Sequence, residues 1–116
     1  MNRGSRRYVA LLVASDIDLS REKLSDEVEV AVRRLFGEQG VLWAAARLID
    51  YDTKRMICIV RCSHLWVERL RAAVALTTEI DGSRVAFFTL RTAGTLAALR
   101  EFLHRQPQFQ ERDSLK

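Results

Sequence analysis

The stretch Asp-Tyr-Asp-Thr-Lys-Arg-Met-Ile-Cys-Ile-Val-Arg-Cys, residues 50–62, decides how this chain folds. A polar turn leads directly into an apolar run. Because alternate residues of an extended strand face opposite sides, Cys58 and Val60 lie on one face and Ile57 and Ile59 on the other. Both faces are therefore apolar. A strand of this kind is expected in the middle of a sheet that is covered on both sides.

A second stretch, residues 7–14, has the same two-faced character and predicts a second central strand. Around these two strands, apolar periodicity and turn signals predict the order strand, helix, strand, strand, helix, strand, helix. The predicted segments are strand 1 (7–14), helix 1 (capped by Ser20 and ended by Gly37), strand 2 (42–51), strand 3 (56–62), helix 2 (capped by Ser63 and ended by Asp81-Gly82), strand 4 (84–92) and helix 3 (Thr95 to Pro107).

This order predicts an α+β fold, the ferredoxin-like or RRM-like split βαβ sandwich, written βαββαβ with an added C-terminal helix. Residues 1–106 are expected to form a single domain, and residues 107–116 a polar C-terminal tail. Helices 1 and 2 can cover only one face of the sheet. The other face is too apolar to be bare, so helix 3 or a second protein must cover it. The apolar stripe of helix 3 consists of Leu96, Leu99, Phe102 and Leu103. Whether Phe102 and Leu103 belong to the core or to an interface stays open.

The charge of the chain indicates an acidic partner. The formal net charge is +4 and the isoelectric point is about 9.6. Sixteen of the nineteen cations are arginine, whose planar fork suits phosphate better than the lysine ammonium does. Two segments without any acid carry cations: Arg3, Arg6 and Arg7 in residues 1–15, and Lys54, Arg55 and Arg61 in residues 53–62.

The two cysteines and the apolar runs indicate in which cellular compartment the protein is expected. Cys58 and Cys62 are about 13 Å apart along an extended strand, too far for a mutual disulfide. They are expected to be reduced thiols of an intracellular protein. No apolar run approaches the roughly 20 residues that span a bilayer, and the N-terminus lacks the apolar segment of a signal peptide. No membrane association is expected.

Sequence signatures of an enzyme are missing. The chain has no Walker A loop, no Rossmann glycine fingerprint and no nucleophile elbow. Asp50 and Asp52 could hold Mg²⁺, but they precede a hairpin, where aspartate is common, so turn chemistry is the favoured interpretation. An RNA-recognition motif would need aromatic residues on strand 3. Only Tyr8, on strand 1, is in a comparable place, so base stacking by the sheet is not expected.

Several short segments, taken in their order and spacing, are similar to a known family. They are Arg7-Tyr8, Leu35-Phe36-Gly37, Ile59-Val60-Arg61-Cys62, Ala72-Ala73-Val74-Ala75-Leu76-Thr77 and Leu90-Arg91-Thr92-Ala93-Gly94-Thr95-Leu96. With them, the chain to about residue 103 resembles the ribonuclease P protein component 2 family of archaea and its eukaryotic counterparts. It departs from the family pattern at Gly4-Ser5, at Lys54-Arg55 after Thr53, and at Arg71.

The resemblance implies a protein cofactor of the ribonucleoprotein that removes 5′ leaders from precursor tRNA. The RNA subunit would carry the active site and its Mg²⁺, and the protein would bind no cofactor itself and have no catalytic residues. The implied partners are the ribonuclease P RNA, another ribonuclease P protein subunit in a heterodimer or heterotetramer, and precursor tRNA through the complex. The location would be cytoplasmic in an archaeon and nuclear or nucleolar in a eukaryote.

The alternative function is a ferredoxin-like protein-interaction or regulatory domain that binds no RNA.

Candidate binding residues follow from the charge pattern and the resemblance together. Candidate partner-binding residues are Tyr8, Leu99, Phe102 and Leu103. Candidate RNA-binding residues are Arg3, Arg6, Arg7, Lys54, Arg55, Arg61 and Arg91.

Overall fold

Five antiparallel strands and three helices build the fold in a computed structural model that describes residues 6–106. The predicted α+β class with a ferredoxin-like arrangement is confirmed. Arg3 and the predicted tail, residues 107–116, lie outside the described residues. The strands are β1 (Arg6–Ser15), β2 (Arg47–Asp52), β3 (Ile57–Ser63), β4 (Glu79–Ile80) and β5 (Ser83–Ala93). The helices are α1 (Arg21–Ala44), α2 (Val67–Ala75) and α3 (Leu96–Arg105).

The central strands are β1 and β3, as their two apolar faces predicted. The spatial order of the sheet is β2-β3-β1-β5-β4. The β1–β3 ladder is antiparallel and runs without a register shift from Arg6 opposite Ser63 to Leu12 opposite Ile57. The outer pairings of β1 with β5 and of β2 with β3 each contain a register shift. The unbroken central ladder therefore sets which residues share a face.

The two faces of the sheet carry separate cores. On the first face, α1 and α2 pack over strand residues that include Val9, Leu11, Cys58 and Val60. On the second face, α3 packs over the opposite side of the same strands. The core of the second face consists of Ala10, Ile57, Ile59, Leu99 and Leu103. The prediction that helix 3 covers part of the second face is confirmed.

The first helix is longer than its sequence pattern predicted. Gly37 has φ 72° and ψ −174° and interrupts the helix, but the prediction that the helix ends there was wrong, because α1 resumes and ends at Ala44. Ala45, with φ 49° and ψ 42°, supplies the left-handed C-cap, and its N–H donates to the carbonyl of Val41. The expectation that residues 42–44 begin a strand was wrong, and β2 begins at Arg47.

The second helix is shorter than predicted, and its end is a small hairpin. Ser63 caps a 3₁₀ turn at His64–Trp66, and α2 follows it. The predicted continuation to Asp81-Gly82 was wrong, because α2 ends at Ala75 and a two-residue strand, β4, comes before the turn. Asp81 (φ 52°) and Gly82 (φ 82°) make that turn, the backbone geometry that two-residue hairpin loops require. None of the helices in residues 6–106 combines the length and apolar character needed to cross a membrane.

Both cysteines are free thiols within the first core. Removal from water disfavours the thiolate. Burial therefore raises the pKa of the Cys58 thiol to about 12 and that of Cys62 to about 11. Since the thiolate is the reactive form, these side chains act as small apolar packing groups.

Gly40 allows the second half of α1 to pack against the 3₁₀ turn. A Cβ at this position would lie 2.3 Å from the Cβ of Phe36 and 3.5 Å from the ring of Trp66. These two rings are themselves in edge-to-face contact, with centroids 5.4 Å apart. A methyl group here must displace an aromatic side chain or the helix backbone.

Gly40→Ala is therefore expected to lower the free energy of unfolding by about 1–3 kcal/mol, the usual cost of overpacking. Urea denaturation followed by circular dichroism measures it. Gly94→Ala is the matched control, because no atom lies within 4 Å of a Cβ built there. Equal stability of the two variants would contradict the packing described for α1.

Candidate nucleic-acid interface

Three arginines lie together at one end of the second face of the sheet. Arg61 on β3 is directly opposite Arg47 on β2 and, on its other side, directly opposite Tyr8 on β1. Residues directly opposite one another in an antiparallel pair project to the same face. Arg6 lies two residues before Tyr8 on β1, opposite Ser63, and so projects to this face as well. Four neighbouring positions on three strands thus present three guanidinium groups and one phenol ring.

The three arginines line a groove of about 420 Å³, which we call the arginine groove. The other lining residues are small, and α3 contributes none of them. Arg6 and Arg47 are exposed and Arg61 is half-buried. Among residues 6–106, no carboxylate forms an ion pair with any of the three. The lining residues are Arg6, Ala45, Ala46, Arg47, Arg61, Cys62 and Ser63.

The structure brings only some of the predicted RNA-binding residues to this groove. Arg6 and Arg61 are there, and Arg91 projects to the same face, opposite Ala10. The guanidinium of Arg91 lies 4.6 Å from the centroid of the Phe102 ring, a cation–π contact. Arg7 is opposite Cys62 and so projects to the first face.

The cations of the β2–β3 turn, Lys54 and Arg55, lie at the other end of β3. Arg55 donates from Nη2 to the Leu103 carbonyl, 3.1 Å away. Its Nε is 3.9 Å from a carboxylate oxygen of Asp52. Arg55 thus satisfies a carbonyl in the last turn of α3, the part of a helix that lacks internal partners. Contact of Lys54 and Arg55 with RNA stays a prediction.

Arg47 was missed in the sequence because it fell inside the predicted strand 2, without a second cation beside it. The cluster forms only when β2 pairs with β3, and local sequence does not give the register of that pairing. The symmetry of the hairpin could have indicated it: Arg47 precedes the apolar pair Leu48-Ile49 much as Arg61 follows Ile59-Val60. Arginines at the ends of two strands joined by a hairpin become neighbours when the hairpin closes.

The candidate partner-binding residues are divided between core and surface. Leu99 and Leu103 are 0% and 4% exposed and belong to the second core. Tyr8 and Phe102 are half-buried at the margin of that core. The open question for Leu103 is resolved in favour of core packing. Partner binding by the half-buried residues stays a prediction.

Carboxylates near the β2–β3 turn serve structural contacts. Asp52 accepts hydrogen bonds from the backbone N–H groups of Lys54 (3.0 Å) and Arg55 (3.2 Å), which is turn chemistry as predicted. Asp50 lies 3.5 Å from Arg100 of α3. No group of three or more His, Cys, Asp or Glu side chains suited to a metal ion occurs within residues 6–106.

The fold and the groove define a class, a ferredoxin-like protein with an arginine-lined groove at one end of its sheet. Comparison with known proteins refines it. The model of the Rpp14/Pop5 family matches residues 7–104, and the chain belongs to this family. It is 34% identical to ribonuclease P protein component 2 of Pyrococcus abyssi over 85% of this chain and 84% of that protein. It is 45% identical to the protein of the same name from Methanosphaerula palustris over 96% of this chain and 69% of that protein.

A solved structure shares the fold. A chain in the cryo-EM structure of yeast ribonuclease MRP superimposes with a TM-score of 0.67, covering 93% of this chain and 95% of that one. Sequence identity between the two is 15%. The likeness supports the architecture described above, including the placement of three helices on the two faces of the sheet.

Leu99 tests whether α3 is part of the core. Leu99→Ala should lower the free energy of unfolding by about 2–5 kcal/mol, because a fully buried leucine loses its packing contacts and leaves a cavity. Chemical denaturation of the isolated chain measures the loss. The control is Leu42→Ala, which truncates a leucine that is 73% exposed and should change stability by less than about 0.5 kcal/mol. A Leu99 variant as stable as the control would mean that α3 does not pack on the sheet in solution.

Proposed function

We propose that this ribonuclease P protein subunit binds the RNA of its particle through the arginine groove and so supports the 5′ maturation of precursor tRNA. The observation that carries the proposal is the grouping of Arg6, Arg47 and Arg61 around one groove, with no carboxylate partner in residues 6–106. Guanidinium groups in this arrangement can each form charge-assisted hydrogen bonds with phosphate oxygens.

The chain acts within an RNA–protein complex that contains other subunits. We assign it a supporting role in catalysis: the RNA performs the cleavage and holds the Mg²⁺ that cleavage requires. Protein cations close to RNA phosphates reduce the repulsion between RNA segments that Mg²⁺ would otherwise have to neutralise. The expected contribution is therefore a lower Mg²⁺ requirement for the assembled particle.

A second surface suits contact with another protein subunit. On the second face, Phe88 of β5 lies opposite Leu12 of β1, a half-buried residue that packs against the core formed with α3. Phe88 is 54% exposed although it projects from the middle of a long strand. We propose that another ribonuclease P protein subunit covers this stretch, in a heterodimer or a heterotetramer. A stable interface of this kind would bury about 1,200–2,000 Å².

The RNA contact is tested by salt dependence. The double variant Arg6→Gln, Arg91→Gln removes one arginine of the groove and one that projects to the same face outside it. If both contact phosphates, the variant should reduce the slope of log K against log salt for binding to the ribonuclease P RNA by roughly 1.4 to 1.8, since each phosphate contact contributes about 0.7 to 0.9. Fluorescence titrations at several salt concentrations measure the slope. In the reconstituted particle, the same variant should raise the Mg²⁺ concentration needed for half-maximal cleavage of precursor tRNA.

The matched control is Arg34→Gln, Arg71→Gln, which removes the same charge from the helices of the first face. It should leave the slope nearly unchanged. Equal slopes for the two double variants would contradict an RNA site on the second face of the sheet. Failure of the wild-type chain to bind the RNA in any assembled complex would instead favour the alternative, a ferredoxin-like interaction domain without RNA.

The protein contact is tested at Phe88. Phe88→Ala should weaken binding of the other subunit by about 2 kcal/mol or more if the ring is a central anchor. Because the ring is largely exposed in the isolated chain, the free energy of unfolding should change little. Calorimetric titration and denaturation measure the two quantities. Leu76→Ala, at a residue 61% exposed beyond the end of α2, is the control. Unchanged affinity of the Phe88 variant for every other subunit would remove this stretch from the interface.

A further inference from the structure

The arginine groove contains an arrangement that is unfavourable for the free protein. Arg47 and Arg61 are direct cross-strand partners. Like charges placed directly opposite each other destabilise a sheet. Arg6 adds a third positive charge on the adjacent strand, at the position diagonal to Arg61. The fold holds three cations at one end of a single face.

Several arginines elsewhere on the surface are matched with carboxylates. Arg71 lies 3.0 Å from Glu68, Arg100 lies 3.5 Å from Asp50, and Arg105 lies 2.8 Å from Glu101. No such partner is present for Arg47 or Arg61 among residues 6–106. What distinguishes the groove is that three cations without a carboxylate partner meet at one place, and a bound anion would supply the countercharge.

We infer that Arg47 and Arg61, assisted by Arg6, hold one phosphate group of an RNA backbone between their guanidinium groups. The inference rests on the proposed function and names its central contact. A phosphate placed between two guanidinium groups replaces their mutual repulsion by two sets of charge-assisted hydrogen bonds. Planar guanidinium forks match the oxygens of a phosphodiester better than ammonium groups do.

The lining of the groove indicates which part of the RNA it receives. Apart from the arginines, the lining consists of Ala45, Ala46, Cys62 and Ser63. Ser63 already accepts a hydrogen bond from the N–H of Leu65 at 3.4 Å. No side-chain amide or carboxylate lines the groove, and the arginines, which can also read a guanine edge, are here engaged with the phosphate. The groove therefore binds the backbone without regard to base sequence, as phosphate contacts do.

Removing one of these charges is expected to change the stability of the free protein and its affinity for RNA in opposite directions. Arg47→Gln or Arg61→Gln removes the repulsion and should raise the melting temperature of the free protein, by roughly 1 to 5 °C. The same substitutions should lower the affinity for RNA by about tenfold or more, because a charged hydrogen-bonding group is lost. Arg47→Lys keeps the charge but not the fork, so its melting temperature should match the wild type while its RNA affinity falls.

The experiment combines melting curves and RNA titrations on the full chain. Melting temperatures of the wild type, Arg47→Gln, Arg61→Gln and Arg47→Lys are measured in chloride and in inorganic phosphate at equal ionic strength. The same proteins are titrated with the ribonuclease P RNA and with unrelated RNAs of equal length. Phosphate should stabilise the wild type more than it stabilises the two glutamine variants, whose gain over chloride measures the general effect of phosphate on folded proteins. Affinity losses should be equal for all RNA sequences.

Glutamine variants that melt at or below the wild-type temperature and bind RNA unchanged would overturn the inference and remove Arg47 and Arg61 from the RNA contact. RNA binding by the rest of this face, which the Arg6 and Arg91 variant tests, would be unaffected. A second outcome would overturn the inference too: the wild type is stabilised by inorganic phosphate more than the glutamine variants are, but these variants bind RNA as tightly as the wild type. The groove would then bind a free anion instead of the RNA backbone. A wild-type chain that binds no RNA in any complex would overturn both the inference and the proposed function.

Discussion

The pairing of β1 with β3 is the constraint on which the rest of the structure depends. Each strand is covered on both faces, so the register of their ladder decides the composition of both cores at once. A slip by one residue would move every side chain of one strand to the opposite face, exchanging Cys58 and Val60 for Ile57 and Ile59. The same ladder carries Arg61 and Arg6 to neighbouring positions beyond the second core. Placement of the arginines is thus a consequence of core packing.

Local sequence patterns predicted the two central strands and the start of the last helix, because these depend on neighbouring residues. The two-faced apolar runs identified β1 and β3, and Thr95 was predicted at the start of helix 3, where its hydroxyl accepts from the N–H of Ala98 at 3.1 Å. Gly37 was predicted to end helix 1, but α1 resumes after it. The resumed part packs with Gly40 beside Trp66, a residue far along the chain. The apolar periodicity of a short stretch of sequence cannot predict a contact between residues so far apart in the chain.

The candidate site shows the same division. Charge distribution identified Arg6 and Arg61, because each lies in a segment without acids. Arg47 was not identified, since its importance comes from standing opposite Arg61 in a hairpin whose register is shifted between Leu48 and Asp50. Arg55 was selected by the same charge criterion as Arg61, yet its guanidinium is held by the Leu103 carbonyl. Composition finds cations, but only tertiary structure separates those that stabilise the fold from those that face outward.

The position of α3 allows the two proposed contacts to coexist. Its last turn is held by Arg55, and its middle is held by the ion pair of Arg100 with Asp50, so the helix crosses the centre of the second face. The arginine groove lies beyond one side of it, next to Tyr8, and the exposed Phe88 lies beyond the other, opposite Leu12. Tyr8 and Leu12 are about 13 Å apart along β1. An RNA backbone and a protein subunit can therefore occupy the same face of the sheet without competing for the same atoms.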